Sequence, residues 1–272
     1  MVNIDAYKMD GLGNNFIIID RRLKNTDFTK EGIIKLGKRE NVSFDQIIFI
    51  EKEINDIFPI SIFNSDGNEV SACGNGTRCV AYLLGKEKGI NNISIRTNER
   101  ILESTIVGNK SVKINMGKPT FDWNKIPLSK KLDTNNINLI IKEKKFTKGF
   151  AVNVGNPHII FFVKDCFSVN LEEFGPIIEN DSIFPEKCNV TLAEIKDQNN
   201  ISVNVWERGA GLTKACGTAA CATAVAAFSK NLTKNKVNVK FKEGILNIEL
   251  DDKKNIFKTG PVSEIKKIKL DI

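Results

Sequence analysis

The sequence predicts an α+β fold made of two homologous, pseudo-symmetric domains, and three observations support this prediction. A short cysteine motif occurs twice, as ACGNG from Ala72 and as ACGTA from Ala215, each time directly before an apolar run of helical length. Other motifs recur in the same order at a nearly constant spacing of 142 or 143 residues. Many short strand-like segments accompany one apolar run in each half, which favours an α+β fold over a parallel α/β sheet.

Three further pairs of motifs complete the internal repeat. GNNFII from Gly13 returns as GNPHII from Gly155, and DQI from Asp45 corresponds to CNV from Cys188. Near the end of each half, MGKP returns as KTGP. Together with the cysteine motif, these pairs give four anchors in one order at one spacing, which indicates a duplication. Each domain is therefore predicted to present one cysteine at the start of a helix.

The first half is expected to begin with a hairpin over Tyr7 to Asp20. A strand follows its Gly-x-Gly turn where a dinucleotide-binding fold would have a helix, so a dinucleotide site is not favoured. The apolar run from Thr77 to Leu84, closed by Gly85, is predicted to be a helix buried inside its domain. The other predicted elements are a surface helix at Thr29–Arg39 and strands at Ile47–Ile50, Phe58–Phe63, Ile93–Thr97, Ile101–Ile106 and Val112–Met116.

The second half is expected to repeat this order. A polar segment at Lys118–Lys148 has no partner in the first half and is expected to hold the crossover and one added strand. The second buried helix is predicted over Ala219–Phe228, with no charge until Lys230. The remaining segments are a second copy of the opening hairpin at Phe150–Val163 and strands at Ile201–Trp206, Val237–Phe241, Ile245–Leu250, Asn255–Thr259 and Ile265–Leu270.

Composition favours a soluble globular protein over a nucleic-acid or membrane protein. The chain has 272 residues, of which 41% are hydrophobic and 27% charged. No apolar run approaches transmembrane length, and the first ten residues do not resemble a signal peptide. Six cysteines in this setting predict free thiols in the cytoplasm. The net charge of +7 comes from scattered lysines without interleaved aromatics, which is typical of a solvated surface.

Cys73 and Cys216, at the starts of two helices, predict a two-sided proton-transfer site. The unpaired N–H groups and dipole of a helix N-terminus lower a cysteine pKa and hold an anion. One thiolate would remove the α-proton of a substrate, and the other thiol would return a proton on the opposite face. The product is the inverted stereoisomer. The substrate carboxylate would bind the N–H groups of Gly74, Asn75, Gly217 and Thr218.

The other four cysteines are predicted to be structural. Cys79 and Cys221 lie five or six residues beyond the two motif cysteines, away from the positive ends of the helices. Cys166 and Cys188 have no turn or helix start beside them. The chain has one histidine, and its cysteine spacings fit no zinc pattern, so no metal is expected.

Six stretches, taken together, resemble the diaminopimelate epimerase family over nearly the whole chain: GLGNNF, FDQ, IFNSDGNEVSACGNGTRC, GNPH, ERGAG and ACGTAAC. The resemblance implies a cofactor-free and metal-free two-base epimerase that interconverts LL- and meso-diaminopimelate in lysine and peptidoglycan precursor biosynthesis. It also implies two domains, each a β-barrel-like sheet around a central helix, with bounds at 1–118 plus 262–272 and at 119–261. Members of the family are often homodimers.

The resemblance assigns roles to individual residues. Cys73 and Cys216 match the acid–base pair, and His158 matches a histidine near the site that either supports catalysis or only packs there. Arg208 could hold a distal carboxylate by two hydrogen bonds, and lysine as substrate would leave this arginine buried and unpaired. The matched substrate-binding residues are Gly74, Asn75, Gly217, Thr218, Asn14 and Gln46 at the reacting end, and Asn64, Asn156, Asn189, Glu207 and Arg208 at the distal end.

Four positions depart from the family's usual residues. Asn15, Ser43, Thr218 and Ala219 stand where aspartate, glycine, serine and glycine are common.

Three other functions remain open. The first alternative is a racemase of a single-centred amino acid on the same scaffold. The second is a thiol redox protein, although Cys-x-x-Cys is missing. The third is an anion-binding module that would tolerate replacement of Cys73 by serine.

Overall fold

The computed structural model describes residues 3–23, 27–39, 42–70, 73–98 and 100–271. Ala72, with which the first cysteine motif begins, lies outside the described residues. The chain divides into two compact units. The first unit comprises Met1–Asn115 and Thr259–Ile272, and the second comprises Met116–Lys258.

The first unit is a mixed sheet with both antiparallel and parallel pairings. Strand β1 pairs antiparallel with β2 and with the late strand β18, while β2 pairs parallel with β3. Strand β4 is antiparallel to β3 and β5 and parallel to β6, and β6, β7 and β8 form an antiparallel meander. The elements are β1 (Asn3–Gly11), β2 (Asn14–Asp20), α1 (Lys30–Gly37), β3 (Gln46–Ile50), β4 (Ile57–Asn64), β5 (Glu69–Val70), α2 (Gly74–Lys88), β6 (Asn92–Arg96), β7 (Ile101–Gly108), β8 (Ser111–Asn115) and β18 (Lys266–Asp271).

The second unit adds strand β9 in front of the same scheme. Strand β10 pairs antiparallel with β9 and β11, and β11 pairs parallel with β12. Strand β13 is antiparallel to β12 and β14 and parallel to β15, which is antiparallel to β16. The elements are β9 (Ile137–Ile141), β10 (Lys144–Asn153), β11 (Pro157–Phe162), α3 (Leu171–Glu179), β12 (Asn189–Asp197), β13 (Asn200–Glu207), β14 (Gly211–Thr213), α4 (Gly217–Ser229), β15 (Lys236–Phe241), β16 (Gly244–Leu250) and β17 (Ile256–Pro261), which begins in the second unit and continues past its last residue, Lys258.

The two units therefore share one element order and one set of pairing directions, and the predicted α+β fold with two pseudo-symmetric halves is confirmed. In each unit the sheet surrounds one helix. Asn75 to Gly85 of α2 and Ala219 to Ala227 of α4 are buried without a break, as expected for helices inside a sheet. Among the described residues, no helix combines the length and the apolar character that crossing a membrane requires.

Three local features differ from the sequence prediction. Helix α2 continues past Gly85 and ends at Gly89, which adopts a left-handed φ of 68° and caps the helix. The same helix carries a charged residue, Arg78, whose relative exposure is 0%. Helix α3 was not predicted; its Leu171, Phe174 and Ile178 pack in the core of the second unit.

Candidate active site

Cys73 occupies the N-cap of α2. Its extended backbone (φ −143°, ψ 108°) directs the sulfur to the helix terminus, where the Gly76 N–H donates to Sγ at 3.5 Å. The Thr77 hydroxyl donates to the Cys73 carbonyl at 2.8 Å and holds the first turn closed. Because the first N–H groups of a helix have no intrahelical acceptors, Gly74 and Asn75 present theirs at the same end.

Asn14 lies next to this helix terminus because the β1–β2 hairpin turns tightly at Leu12 and Gly13, whose φ angles are 57° and 81°. The Asn75 side chain donates from Nδ2 to Asn14 Oδ1 at 2.7 Å. Asn75 is buried, whereas Asn14 is half-buried. The hydrogen bond thus joins two predicted substrate-binding residues into one polar group beside Cys73.

Gln46 and Asn64 are direct neighbours across the β3–β4 ladder. Gln46 Nε2 donates to Asn64 Oδ1 at 2.9 Å. Gln46 Oε1 is buried, and it has no hydrogen-bond partner among the residues that the structure describes. A buried acceptor of this kind costs free energy unless a donor reaches it, so it is suited to receive an N–H of a ligand.

Cys216 occupies the equivalent N-cap of α4, with φ −129° and ψ 116°. Its sulfur is nearly buried and lies 3.4 Å from the Thr218 hydroxyl. Burial raises the pKa of this thiol, and the neighbouring Glu207 carboxylate raises it further; the Thr218 hydroxyl and the Ala219 N–H act in the opposite direction. The lowered pKa expected at a helix start is therefore not found at Cys216, because burial and a carboxylate outweigh the helix terminus.

Glu207 reaches Cys216 from the turn between β13 and β14. The turn is closed by the Ala210 N–H, which donates to the Glu207 carbonyl at 3.1 Å. Burial raises the pKa of the Glu207 carboxyl, while hydrogen bonds with Thr213 and Cys216 lower it. The resemblance predicted Glu207 as a distal substrate-binding residue, and the structure adds a direct interaction with the thiol. Asn64 and Glu207 end the equivalent strands β4 and β13, and this equivalence was the one sign in the sequence of a place near the cysteine.

Lys258 is a residue beside the site that the sequence analysis did not single out. It is fully buried on β17, and its Nζ lies 2.5 Å from where a Cβ on Gly217 would be. A side chain on Gly217 would therefore have to displace the head of Lys258. The Nζ of Lys258 thus lies at the end of α4 where the helix dipole favours an anion. The repeat pairs KTGP with MGKP, which gave no sign of a buried lysine.

His158, Asn156 and Asn189 form a second polar group in the second unit. His158 Nε2 lies 2.8 Å from Asn156 Oδ1, and it carries the proton because a carbonyl oxygen only accepts. Burial, with a smaller effect of the positive Arg208, lowers the pKa of His158 to about 3, so the ring is neutral. Buried Asn189 donates from Nδ2 to the Pro157 carbonyl at 2.8 Å and accepts the Arg208 N–H at 3.0 Å.

Arg208 is exposed, contrary to the expectation that it is buried. Its Nη1 donates to the Glu186 carbonyl at 3.0 Å, while Asn189 holds its backbone. The guanidinium is therefore positioned at the surface of the turn that also carries Glu207.

The structure places the predicted site residues in two groups, one in each unit. The departures Asn15 and Ser43 are exposed, and Ala219 is buried in the first turn of α4. Among the described residues, the one set of side chains that could hold a metal ion is Asp165, Cys166 and Glu194, which includes no predicted site residue. The first group contains Asn14, Gln46, Asn64, Cys73, Gly74 and Asn75; the second contains Asn156, His158, Asn189, Glu207, Arg208, Cys216, Gly217 and Thr218.

The two units of one element order define the class of fold, which the chain shares with PhzF-family and proline racemase-like proteins. The structure resembles a phenazine biosynthesis protein of the PhzF family from Bacillus anthracis, with a TM-score of 0.69, 18% identity and 100% coverage of both chains. It also resembles a hydroxyproline epimerase from Agrobacterium vitis, with a TM-score of 0.65, 10% identity and coverage of 99% of this chain and 93% of that one.

Within this class, the chain belongs to the diaminopimelate epimerase family, and the predicted resemblance is confirmed. The family model described as diaminopimelate epimerase matches residues 6–122 and 150–265. A diaminopimelate epimerase from Pelagibacter ubique (strain HTCC1062) is 50% identical over 272 residues, which is 99% of each chain. One from a Wolbachia of Drosophila simulans (strain wRi) is 42% identical over 258 residues, covering 94% of this chain and 95% of the relative.

Proposed function

We propose that the protein interconverts LL- and meso-diaminopimelate by a two-base mechanism, with Cys73 and Cys216 as the proton carriers. The observation that carries the proposal is that the two cysteines occupy the same N-cap position in two units of the same element order. A duplicated scaffold that presents one thiol in each copy is suited to a reaction that needs a proton donor and a proton acceptor on opposite faces of one carbon.

The reacting carboxylate binds the N–H groups at the two helix termini. Gly74 and Asn75 supply them on α2, and Gly217 and Thr218 supply them on α4. As the α-proton leaves, negative charge spreads onto this carboxylate. Preorganised donors at that place stabilise the developing charge and lower the barrier. The buried Gln46 Oε1 accepts from the α-ammonium group.

The protonation states of the two cysteines differ before the reaction starts. Cys216 is held as a neutral thiol, since burial and the Glu207 carboxylate raise its pKa. Cys73 acts as the thiolate, and its sulfur accepts a hydrogen bond from the Gly76 N–H. The Cys73 sulfur takes the α-proton, and the Cys216 thiol gives its proton to the opposite face. Only protons move, and the two cysteines end with exchanged protonation states.

Recognition of the distal end distinguishes diaminopimelate from amino acids with one stereocentre. Arg208 binds the distal carboxylate, with Asn64 and Asn156 as further polar contacts. Its exposed position leaves the guanidinium accessible to a ligand. We place the reaction in the cytoplasm and propose a homodimer, to be checked by analytical ultracentrifugation.

The proposal is tested by NMR of LL-diaminopimelate in deuterated water with the purified protein. We expect the meso isomer to form and deuterium to appear at the α-carbon. Cys73→Ala and Cys216→Ala are expected to abolish the conversion, because each face needs its own proton carrier. Cys221→Ala is the matched control: a buried cysteine of α4 away from the cap, whose loss should leave turnover in place.

Other results would point to the alternative functions. Turnover of a single-centred amino acid at the rate of diaminopimelate would favour a racemase. Substantial conversion by either alanine variant of the capping cysteines would contradict the two-base mechanism. Binding of diaminopimelate without deuterium incorporation would indicate an anion-binding module.

A further inference from the structure

Arg78 is a charged residue in the N-terminal part of α2, a helix that the sheet encloses. It lies one turn beyond Cys73 on α2, and its relative exposure is 0%. A buried cation is costly unless its surroundings use its charge or its hydrogen bonds. Arg78 Nη2 donates to Asn75 Oδ1 at 2.9 Å, and this hydrogen bond is itself buried.

The hydrogen bond of Arg78 fixes which way the Asn75 amide points. A guanidinium only donates, so the oxygen of Asn75 has to face it. The Nδ2 of Asn75 then points the other way, where it donates to Asn14 Oδ1 at 2.7 Å. Because the Asn14 oxygen is occupied in this manner, the end of Asn14 that is left for a ligand is its NH2 group.

We propose that Arg78 is a positioning residue that sets the direction of the relay Arg78–Asn75–Asn14, so that Asn14 offers a donor to the reacting carboxylate. The proposal rests on the function proposed above and deepens it. Without Arg78 the Asn75 amide is free to rotate, and its oxygen can then accept from Asn14. Asn14 would in that case present its own oxygen, which repels a carboxylate.

A double-mutant cycle tests whether Arg78 acts through Asn14. Arg78→Met removes the donor and keeps an apolar side chain of similar length, and Asn14→Ala removes the end of the relay. We expect Arg78→Met to raise KM for diaminopimelate by roughly tenfold to a hundredfold, the loss of one charge-assisted hydrogen bond, with a smaller effect on kcat. In the Asn14→Ala background the same substitution should change KM little.

Two further variants separate positioning from packing. Arg78→Lys keeps a buried, donor-only cation and is expected to retain a KM closer to that of the wild type. Cys79→Ala, at the next position of α2 and equally buried, changes the packing without touching the relay and should leave KM unchanged. Additive effects of Arg78→Met and Asn14→Ala on KM would show that Arg78 does not act through Asn14 and would overturn the proposal.

A measurement without substrate keeps the inference separate from the proposed function. In 15N-labelled protein, the side-chain NH2 of Asn75 should exchange slowly with water, and that of Asn14 should exchange fast. Arg78→Met, or Arg78→Lys if the methionine variant does not fold, should change the Asn75 signal, with less change in the lysine variant. A wild type without diaminopimelate turnover would refute the function alone. An Asn75 signal that exchanges fast in the wild type, or that is unchanged in Arg78→Met, would refute the relay.

Discussion

Glu207 lies beside Cys216, and its carboxylate acts with burial to raise the pKa of that thiol. The two residues come from different elements, the end of β13 and the cap of α4. A carboxylate next to a sulfur opposes the loss of the thiol proton, since two negative charges in a buried place repel each other. The pair therefore keeps Cys216 protonated in the ligand-free protein.

Removal of this charge should make Cys216 more acidic. We predict that Glu207→Gln lowers the pKa of Cys216, because the amide keeps the shape of the carboxyl but carries no charge. The measurement is the pH dependence of Cys216 alkylation by iodoacetamide, followed by mass spectrometry without substrate. Glu243→Gln, in the same unit and paired with Lys214 at 3.9 Å, is the control. An alkylation profile identical to that of the wild type would contradict the assigned effect of Glu207.

The buried neutral His158 should make the protein sensitive to acid. Its pKa is about 3 in the folded state, against about 6.5 for an exposed histidine. Below pH 6.5 His158 binds a proton in the unfolded chain but stays neutral in the folded protein. The free energy of unfolding should therefore fall by about 1.4 kcal/mol per pH unit between pH 6.5 and 3 through this group.

His158→Gln removes that contribution, and the comparison cancels the carboxylates common to both proteins. Urea unfolding at pH 7.5, 6, 5 and 4 should show that the wild type loses stability faster than the variant below pH 6.5. If the free energies of unfolding of the wild type and of His158→Gln change with pH in parallel, His158 is not held neutral by its surroundings.

Gly85 should be required for packing of α2 inside the first unit. A Cβ at this position would overlap Ile106 Cδ1 and lie 2.7 Å from the Ile90 carbonyl oxygen, a backbone atom that cannot rotate away. We predict that Gly85→Ala lowers the free energy of unfolding by about 1–3 kcal/mol, the usual cost of overpacking. Gly32→Ala in α1, where the nearest atom is 3.5 Å away, should instead be neutral or stabilising by about 0.5–1 kcal/mol. Thermal unfolding of both variants decides between these outcomes.

Arg208 should contribute to substrate specificity and not to folding. Its side chain is exposed, and Asn189 holds its backbone, so Arg208→Met is expected to fold normally. We predict a loss of kcat/KM for diaminopimelate of about tenfold to a hundredfold, because one charge-assisted contact disappears. Lysine, which lacks the distal carboxylate, should be a poor substrate of the wild type and equally poor for the variant.

Arg39→Met is the matched control for this prediction. Arg39 is also exposed and also donates to a backbone carbonyl, that of Asp271, but it lies in the first unit after α1. The kcat/KM of the Arg39→Met variant for diaminopimelate should equal that of the wild type. Equal rates for lysine and diaminopimelate in the wild type would mean that the distal contacts are assigned wrongly.

The internal repeat made the fold predictable. The constant spacing of the motifs placed both central helices and both capping cysteines, because a duplication doubles every weak local signal. Helix α3 was not predicted from the sequence, because Gly175 and Pro176 within Leu171–Glu179 are poor helix formers and the helix depends on packing in the core. Tertiary packing here outweighed local propensity.

The site was predictable only in part, and the reason is that burial is a long-range property. Cys73 and Cys216 follow from local turns, but nothing near Lys258 in the sequence shows that it lies against Gly217. Arg78 likewise breaks an apolar run and would normally indicate a solvated face. The exposure of Arg208 could not be deduced either, because it depends on how the turn after Glu207 packs against Asn189, whose side chain accepts a hydrogen bond from the Arg208 N–H.

The pairing of β1 with β18 has a consequence for how the chain is made. Residues 3–8 pair with residues 266–271, so the first unit acquires this strand only after the whole of Met116–Lys258 has been synthesised. The second unit is continuous in the chain and has all its strands before then. During translation the edge of β1 stays open, and an open strand edge is a site for wrong pairing. All residues of the second unit are therefore synthesised before the first unit is complete, although synthesis of the first unit starts earlier.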